Sequence, residues 1–242
     1  MTSKNRLSWR DVRLPIAVIV IGLVYGIYVI NNPMDNMVAN FLTVPLILTS
    51  LKQHIYLIVV SSVLAICTAV PLGIILTRPL FRKFSSFVVG IVNLCQTIPS
   101  FAVIALFVGI LGIGSKTAIF ALWIYSLLPI LNNTIAGING VDPAVIDSAK
   151  GMGMTKTRTL FKIELPLAIP VIMAGIRTAV VINVATAVIA AYVGGGGLGD
   201  IIIAGKNINR WQVLLLGAGY ATLIALFFDH ILGVVERLLV DD

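Results

Sequence analysis

The sequence predicts an all-α integral membrane protein with about six transmembrane helices and no soluble domain. Of its 242 residues, 59% are hydrophobic and only 11% are charged, and the mean hydropathy is +1.05. Because soluble domains carry about 25% charged residues, this composition excludes that class. The second observation is the length of the charge-free runs, since a helix needs roughly 20 apolar residues to cross the hydrocarbon core. These runs are 14–30, 55–77, 84–115, 117–141, 178–199 and 211–228.

The positions of the basic residues predict which side of the membrane each segment occupies. The net charge is +7, and most Lys and Arg fall in the N-terminal tail, at 78–83, in the polar stretch 142–177 and at Arg237. The opposite side receives only Lys52, Lys116, Lys206 and Arg210. Because cytoplasmic loops carry the excess of Lys and Arg, we expect both termini to be cytoplasmic. The excess of basic residues therefore reflects membrane topology, and we expect no nucleic-acid partner.

The first run predicts a helix that stays in the membrane. Basic residues precede it, as in a signal peptide, but it lacks a small-x-small cleavage site. Gly22 and Gly26 form a small-residue face, which either packs against another helix or belongs to a lipid-facing segment. The stretch 31–53 is predicted to be an external connection. We therefore divide the chain into an N-terminal part, 1–53, and a membrane core, 54–242.

Polar residues inside the predicted spans are informative because an unpaired polar group is costly in hydrocarbon. They either form hydrogen bonds between helices or line a translocation path or its gate. Pro99 follows some of them and removes a helix hydrogen bond, so we expect a bend in the third span. Arg177 is expected to snorkel or cap at the inner end of the fifth span. The candidates for the path or gate are Asn93, Gln96, Thr97, Pro99 and Asn183.

No motif supports catalysis, a metal site or a bound cofactor. The nearest approach to a phosphate-binding loop, at 199–207, has five residues between its glycines instead of four, and Asn207 stands where Ser or Thr is required. The glycines at 194–197 end an apolar helix, so we expect them to break it and allow close backbone approach. His54 and His230 lie at predicted helix ends without metal-ligand partners, which favours interfacial positions.

The stretch 142–166 is where this apolar chain becomes polar, and its first half predicts a short docking helix. Asp142 can cap a helix whose first residue is Pro143, where a missing N–H costs nothing. We expect the helix to stop at Gly151 and Gly153, which can adopt left-handed backbone angles. These features indicate a segment that meets a partner in water.

The second half of the same stretch predicts a basic helix. Thr155 can cap it, and it is expected to run to Glu164. Pro166 is then expected to end it, because proline cannot continue the hydrogen-bond pattern of a helix.

These residues resemble the cytoplasmic coupling loop of the membrane subunits of binding-protein-dependent ABC importers. The family pattern is a Glu-Ala-Ala-like triplet, a glycine four residues later, nine free positions and then Ile-x-Leu-Pro. This chain has Asp in place of Glu and Ser in place of the first Ala, and it keeps the spacing over twenty residues. The matching positions are Asp147, Ser148, Ala149, Gly153, Ile163, Leu165 and Pro166.

Other segments resemble the branch of this family that imports glycine betaine, choline, carnitine and related osmoprotectants. They are Gln96–Pro99, Leu128–Thr134, Gly140–Pro143, Ala174–Thr178 and the glycine run 194–199. The resemblance implies a five-helix type I ABC importer permease core with one additional N-terminal helix, in the bacterial inner membrane. It also implies two cytoplasmic ABC ATPase subunits, an extracytoplasmic substrate-binding protein and a second permease, the same or a homologous chain.

The resemblance further implies that the loop couples ATP hydrolysis by a partner to substrate translocation by this chain. The expected coupling residues are Asp147, Ser148, Ala149, Gly151, Gly153, Leu165 and Pro166. One alternative in the same class is an importer permease for an amino acid such as methionine. An alternative from another class is a channel or membrane scaffold without ATP coupling, which would not need an ATPase subunit.

Overall fold

The computed structural model describes residues 9–240 and the side chains of residues 12–239. The basic residues Lys4 and Arg6, which contribute to the charge argument, lie outside the described residues. The described chain is helical and has no strand, as the sequence predicts. In chain order its helices are α1 (Trp9–Asn31), α2 (Asn36–Phe41), α3 (Val44–Thr77), α4 (Ser85–Thr97), α5 (Ser100–Leu111), α6 (Ser115–Asn139), α7 (Pro143–Gly151), α8 (Lys156–Thr159), α9 (Leu165–Thr186), α10 (Leu198–Asn207) and α11 (Trp211–Val240).

Between residues 9 and 240, five helical segments are long and apolar enough to cross a membrane, and the bent pair α4–α5 would make a sixth. This confirms the prediction of about six spans. Large apolar side chains cover the outward faces, as on α1, where Leu23, Val24 and Ile27 are 58–62% exposed. Exposed apolar surface of this kind is typical of helices whose solvent is hydrocarbon.

The centre of the bundle is formed by α3, α6 and α9, which pack along one another. Their contacts bury apolar side chains such as Leu57, Ile58, Leu122 and Ile130. Hydrocarbon gives little hydrophobic driving force between helices, so close approach at small residues becomes important. Gly175 provides such an approach, because a Cβ there would lie 2.7 Å from the Pro129 carbonyl oxygen on α6.

The second span is longer than the sequence predicts. The helix α3 begins at Val44, where the Thr43 hydroxyl accepts a hydrogen bond from the Leu46 N–H at 3.4 Å, and it passes through position 54 without a break. The connection after α1 is therefore shorter than the predicted stretch 31–53. It contains the short helix α2, whose first turn is capped by Asp35.

The fifth span begins earlier than predicted, at Leu165 instead of residue 178, and it continues through a 3-10 turn at Ala187–Val193. The prediction failed because Arg177 was taken to mark the end of the apolar segment. In the structure Arg177 lies inside α9, where its guanidinium contacts Asp229 and Glu236 of α11 at 3.0 and 3.2 Å.

The N-terminal helix α1 packs against α11, which decides between the two alternatives for Gly22 and Gly26. The Tyr220 hydroxyl donates to the Gly22 carbonyl at 3.1 Å, and a Cβ at Gly22 would already touch the Tyr220 ring at 3.4 Å. Small residues thus permit the α1–α11 contact.

Polar contacts join the connection that follows α1 to the residues at the start of α11. Gln212 accepts from the Met34 N–H at 2.9 Å and donates to the Asn32 carbonyl at 2.8 Å. Arg210 donates to Asp35 at 2.5 Å. Hydrogen bonding from the Val38 N–H, with that from Arg210, lowers the pKa of Asp35. The carboxylate is therefore charged at neutral pH and available to this contact.

Replacing Gly175 by Ala is expected to destabilise the protein by about 1–3 kcal/mol, because the new methyl group would push α9 away from α6. Thermal unfolding of the purified protein in detergent measures this loss. The matched control is Gly90→Ala, where no atom lies within 4 Å of the new Cβ. Both variants gain helix propensity, so the control should be as stable as the parent or more so. Equal unfolding midpoints for the two variants would contradict the close-approach argument.

Candidate coupling loop and translocation path

The docking helix α7 is capped as the sequence predicts. The Asp142 carboxylate accepts from the Ala144 N–H at 2.8 Å, and Pro143 occupies the first helical position. Gly153 has φ of +77°, in the left-handed region that favours glycine. Gly151 differs from the expectation, because it is the last residue of α7 and its φ is not positive. The change of direction after α7 thus depends on Gly153.

The triplet at 147–149 divides α7 into an exposed and a buried side. The Asp147 and Ser148 side chains face outward, and Asp147 pairs with Lys150 at 2.9 Å in a fully accessible position. Ala149 is buried, where α7 packs against the turn that precedes α9. One side of α7 is therefore free to contact a partner while the other is fixed to the bundle.

Apolar side chains lie exposed in this otherwise polar loop. Met152 is 73% exposed, Phe161 is 61% exposed and Val145 is also on the surface. Exposed apolar groups among polar residues are typical of a contact surface for another protein. Together with Asp147 and Ser148, they define what we call the docking surface.

The helix after the docking helix does not end where predicted. Thr155 caps α8, accepting from the Arg158 N–H at 3.3 Å, as expected. The chain then passes through a π turn at Leu160–Glu164 directly into α9, and Pro166 lies in the first turn of α9. The prediction that Pro166 ends the helix was wrong, because Pro166 lies in the first turn of α9, where proline is tolerated. From Lys156 the chain therefore continues into a spanning helix without a loop.

An ion pair ties this π turn to the end of α3. Arg78 Nη2 lies 2.5 Å from Glu164 Oε2, and the carboxylate is largely buried, with a side-chain exposure of 10%. The Arg78 guanidinium also donates to the Thr77 hydroxyl at 2.8 and 3.1 Å. The sequence analysis missed this pair, since nothing local relates two residues that lie 86 positions apart.

The third span is broken at the position of Pro99. The helices α4 and α5 meet at 98° across Ile98 and Pro99, a sharper corner than the predicted bend. The Gln96 side chain donates to the Tyr125 carbonyl at 2.6 Å, and the Tyr125 hydroxyl donates to the Ile98 carbonyl. Thr97 bonds within its own helix, to the Leu94 carbonyl at 2.8 Å. The corner is thus fixed to α6 by side-chain hydrogen bonds.

The remaining path candidates lie in different places. Asn93 is exposed on α4. Asn183 is fully buried between α3 and α9, where its amide donates to the hydroxyls of Ser61 and Ser62 at 3.0 Å each. Asn183 therefore bonds between helices, whereas Asn93, Thr97 and the corner are accessible from outside the bundle.

The glycine run breaks its helix as predicted. Gly194, Gly196 and Gly197 have φ of +67°, +76° and +97°. The Gly197 N–H donates to the Gln53 side chain at 3.0 Å, and a Cβ at Gly197 would lie 3.2 Å from His54 Nδ1. His54 itself is buried within α3 and does not occupy the predicted helix end, because α3 begins ten residues earlier at Val44.

The family comparison agrees with this geometry. Residues 69–240 match the family described as binding-protein-dependent transport system inner membrane component. The chain belongs to this family. It is accordingly a multi-pass inner-membrane permease without catalytic activity of its own, and importers of this family combine permeases with an ATPase and a substrate-binding protein. The predicted family is confirmed, and membership favours a coupled permease over a channel or scaffold.

Curated relatives in two organisms cover most of the chain. It is 45% identical over 185 residues to a glycine betaine/carnitine/choline transport system permease protein of Bacillus subtilis, covering 76% of this chain and 84% of that protein. It is 45% identical, with the same coverage, to a choline transport system permease protein of that organism. A carnitine transport permease protein of Listeria monocytogenes is 46% identical over 184 residues, covering 76% of this chain and 84% of its own.

A solved methionine ABC transporter in an inward-facing conformation has the same fold. The match has a TM-score of 0.73 with 21% identity, and it covers 81% of this chain and 99% of that one. At this identity the likeness shows the type I permease fold alone. The predicted five-helix core with an added N-terminal helix is thereby confirmed as a fold class.

Proposed function

We propose that this chain is the permease of an ATP-driven importer for quaternary-ammonium osmoprotectants of the glycine betaine, choline and carnitine class. The observation that carries the substrate class is the identity of 45–46% to permeases named for these solutes, along three quarters of the chain. The methionine alternative is supported only by a likeness of fold, at 21% identity. No aromatic cage of the kind that holds quaternary ammonium groups is needed in this chain if the substrate-binding protein selects the solute.

The coupling step begins at the docking surface, which lies on α7, the turn after it and the π turn. In this proposal α7 lies in a cleft of the ATPase, with Asp147, Ser148 and the exposed apolar side chains in contact with it. The buried Ala149 allows α7 to pack closely against the bundle. When nucleotide closes the ATPase pair, α7 moves with it, and Gly153 preserves the angle between α7 and α8.

Motion then enters the membrane through α9. Because α8, the π turn and α9 form one helical path from Lys156, a displacement of the loop reaches Leu165 and Pro166 without passing through a flexible connection. Two permeases, the second being the same or a homologous chain, would each receive one cytoplasmic ATPase subunit. An external substrate-binding protein would deliver the solute to the opposite side.

The α4–α5 corner is the proposed gate on the translocation path. Asn93, Thr97 and Pro99 are exposed there, so they are free to line a path between two permeases. Gln96 fixes the corner to α6 through the Tyr125 carbonyl. Asn183 acts from inside the bundle, holding α3 to α9 just before α9 changes to a 3-10 turn.

Expression of the complete system should give uptake of a quaternary-ammonium solute by cells that lack other osmoprotectant importers. Radiolabelled glycine betaine accumulation measures it, with excess unlabelled choline or carnitine as competitors and methionine as the matched non-competitor. Cells without the ATPase subunit are the control for coupling. Import of methionine alone would show that the substrate class is wrong while the permease function stands.

Replacing Gly153 by Asp should abolish most of the uptake while leaving normal amounts of the chain in the membrane. The space around Gly153 is open, so the new side chain meets no steric clash. The free-energy cost arises from the positive φ, about 1 kcal/mol or more, and from a new charge between α7 and α8. Uptake and the amount of ATPase retained on the purified complex are the measurements. Gly153→Asn is the matched comparison, because Asn and Asp visit this backbone region about equally and Asn adds no charge, so it should lose less uptake. Normal uptake by the Asp variant would show that coupling does not depend on the angle that Gly153 preserves between α7 and α8.

The proposed orientation has the loop at Lys156 and both termini in the cytoplasm, and the turn at 206–210 outside. It follows from the charge distribution, since positive loops stay inside. In a background without Cys67 and Cys95, Asn207→Cys should react with an impermeant thiol reagent on whole cells, and Thr157→Cys should react only after permeabilisation. Both positions are exposed in the structure, so burial cannot explain a difference. The reverse pattern would overturn the orientation.

A further inference from the structure

The ion pair between Arg78 and Glu164 joins two parts of the chain that the covalent backbone connects only over a long distance. Arg78 is the residue that ends α3, and Glu164 is the last residue of the π turn between α8 and α9. Their side chains meet at 2.5 Å. The pair therefore links the end of the spanning helix α3 to the start of the spanning helix α9.

This pair differs from an ordinary surface ion pair in its burial and fixation. Exposed pairs such as Lys150–Asp147, with side chains 65% and 71% exposed, contribute little because water screens them and both side chains are mobile. The Glu164 side chain is 10% exposed, and a buried carboxylate needs its partner. The Arg78 guanidinium is in turn held to α3 by the Thr77 hydroxyl, which donates to the Ile74 carbonyl at 2.7 Å. The guanidinium is thus held both by the end of α3 and by Glu164.

The position of the pair gives it a mechanical consequence. The docking helix α7 packs against the π turn, so a displacement of α7 reaches Glu164 before it reaches the body of α9. π turns are locally irregular and frequently occur at functional sites. Without a second attachment, such a turn could absorb part of the displacement by local bending. The contact to Arg78 attaches it to α3, which packs along both α6 and α9.

We propose that Arg78 and Glu164 are positioning residues for transport, forming the joint through which motion of the docking helix reaches α3 as well as α9. This inference rests on the proposed coupling function of the loop. The pair makes α3 and α9 move as one body when the ATPase displaces α7. Loss of the pair would leave the ATPase bound and hydrolysing, with α9 receiving only part of the motion and α3 none of it through this contact.

The test measures substrate imported per ATP hydrolysed by the complete complex in proteoliposomes, using whichever solute the parent complex imports. Glu164→Gln and Arg78→Gln are expected to lower this ratio about tenfold, within the usual range of coupling between sites, while ATPase binding and hydrolysis persist. Arg78→Lys keeps the charge and should retain more of the ratio than Arg78→Gln. The exchange variant, Arg78→Glu with Glu164→Arg, should recover a large part of it.

Arg82→Gln is the matched control, because Arg82 lies in the same basic segment, is exposed and has no ion pair among residues 12–239. Its ratio should equal that of the parent. An unchanged ratio in both single Gln variants overturns the proposal, as does an exchange variant no better coupled than they are. Absence of the single variants from the membrane also overturns it, since the pair would then serve folding. Normal transport by Gly153→Asp tests the proposed loop function separately, whatever the pair does.

Discussion

The constraint on which this structure depends is that backbone polar groups in hydrocarbon need partners inside the protein. Continuous helices meet it automatically, so every interruption needs a specific donor or acceptor. At the α4–α5 corner, the Ile98 carbonyl accepts from the Tyr125 hydroxyl. At the glycine run, the Gly197 N–H finds the Gln53 side chain at 3.0 Å. The breaks are therefore fixed points of the fold, held by side chains from neighbouring helices.

The same constraint separates the parts of the molecule that transmit motion from the parts that respond to it. From Lys156 to Val193 the backbone is one helical path, with its irregularity confined to the π turn and the final 3-10 turn. Such a path transmits displacement well. The corner at Pro99 has no continuous backbone ladder and depends on Gln96 and Tyr125 of two different elements. A relative movement of α4 and α6 would disturb these bonds first, which is why a gate at this corner is consistent with a rigid α9.

Local chemistry explains which features the sequence could predict. Asp142, Pro143 and Thr155 act on the N–H groups of the next few residues, so their caps are readable from adjacent positions. The charge-free runs predicted the spans for the same reason. The ion pairs of Arg177 and Glu164 could not be predicted, because their partners lie 52 and 86 positions away. A charge without a visible partner was taken as the end of a span, whereas pairing allowed α9 to begin before it.

The fold that this chain shares with the methionine transporter does not determine the solute. The two chains share the fold with a TM-score of 0.73 at 21% identity, so the fold does not specify a substrate class. Specificity has to come from side chains or from another subunit. At the corner, the side-chain donors of Gln96 and Thr97 are both paired with backbone carbonyls. These bonds hold the backbone of the corner, which is consistent with a permease that moves the solute after a separate protein has selected it.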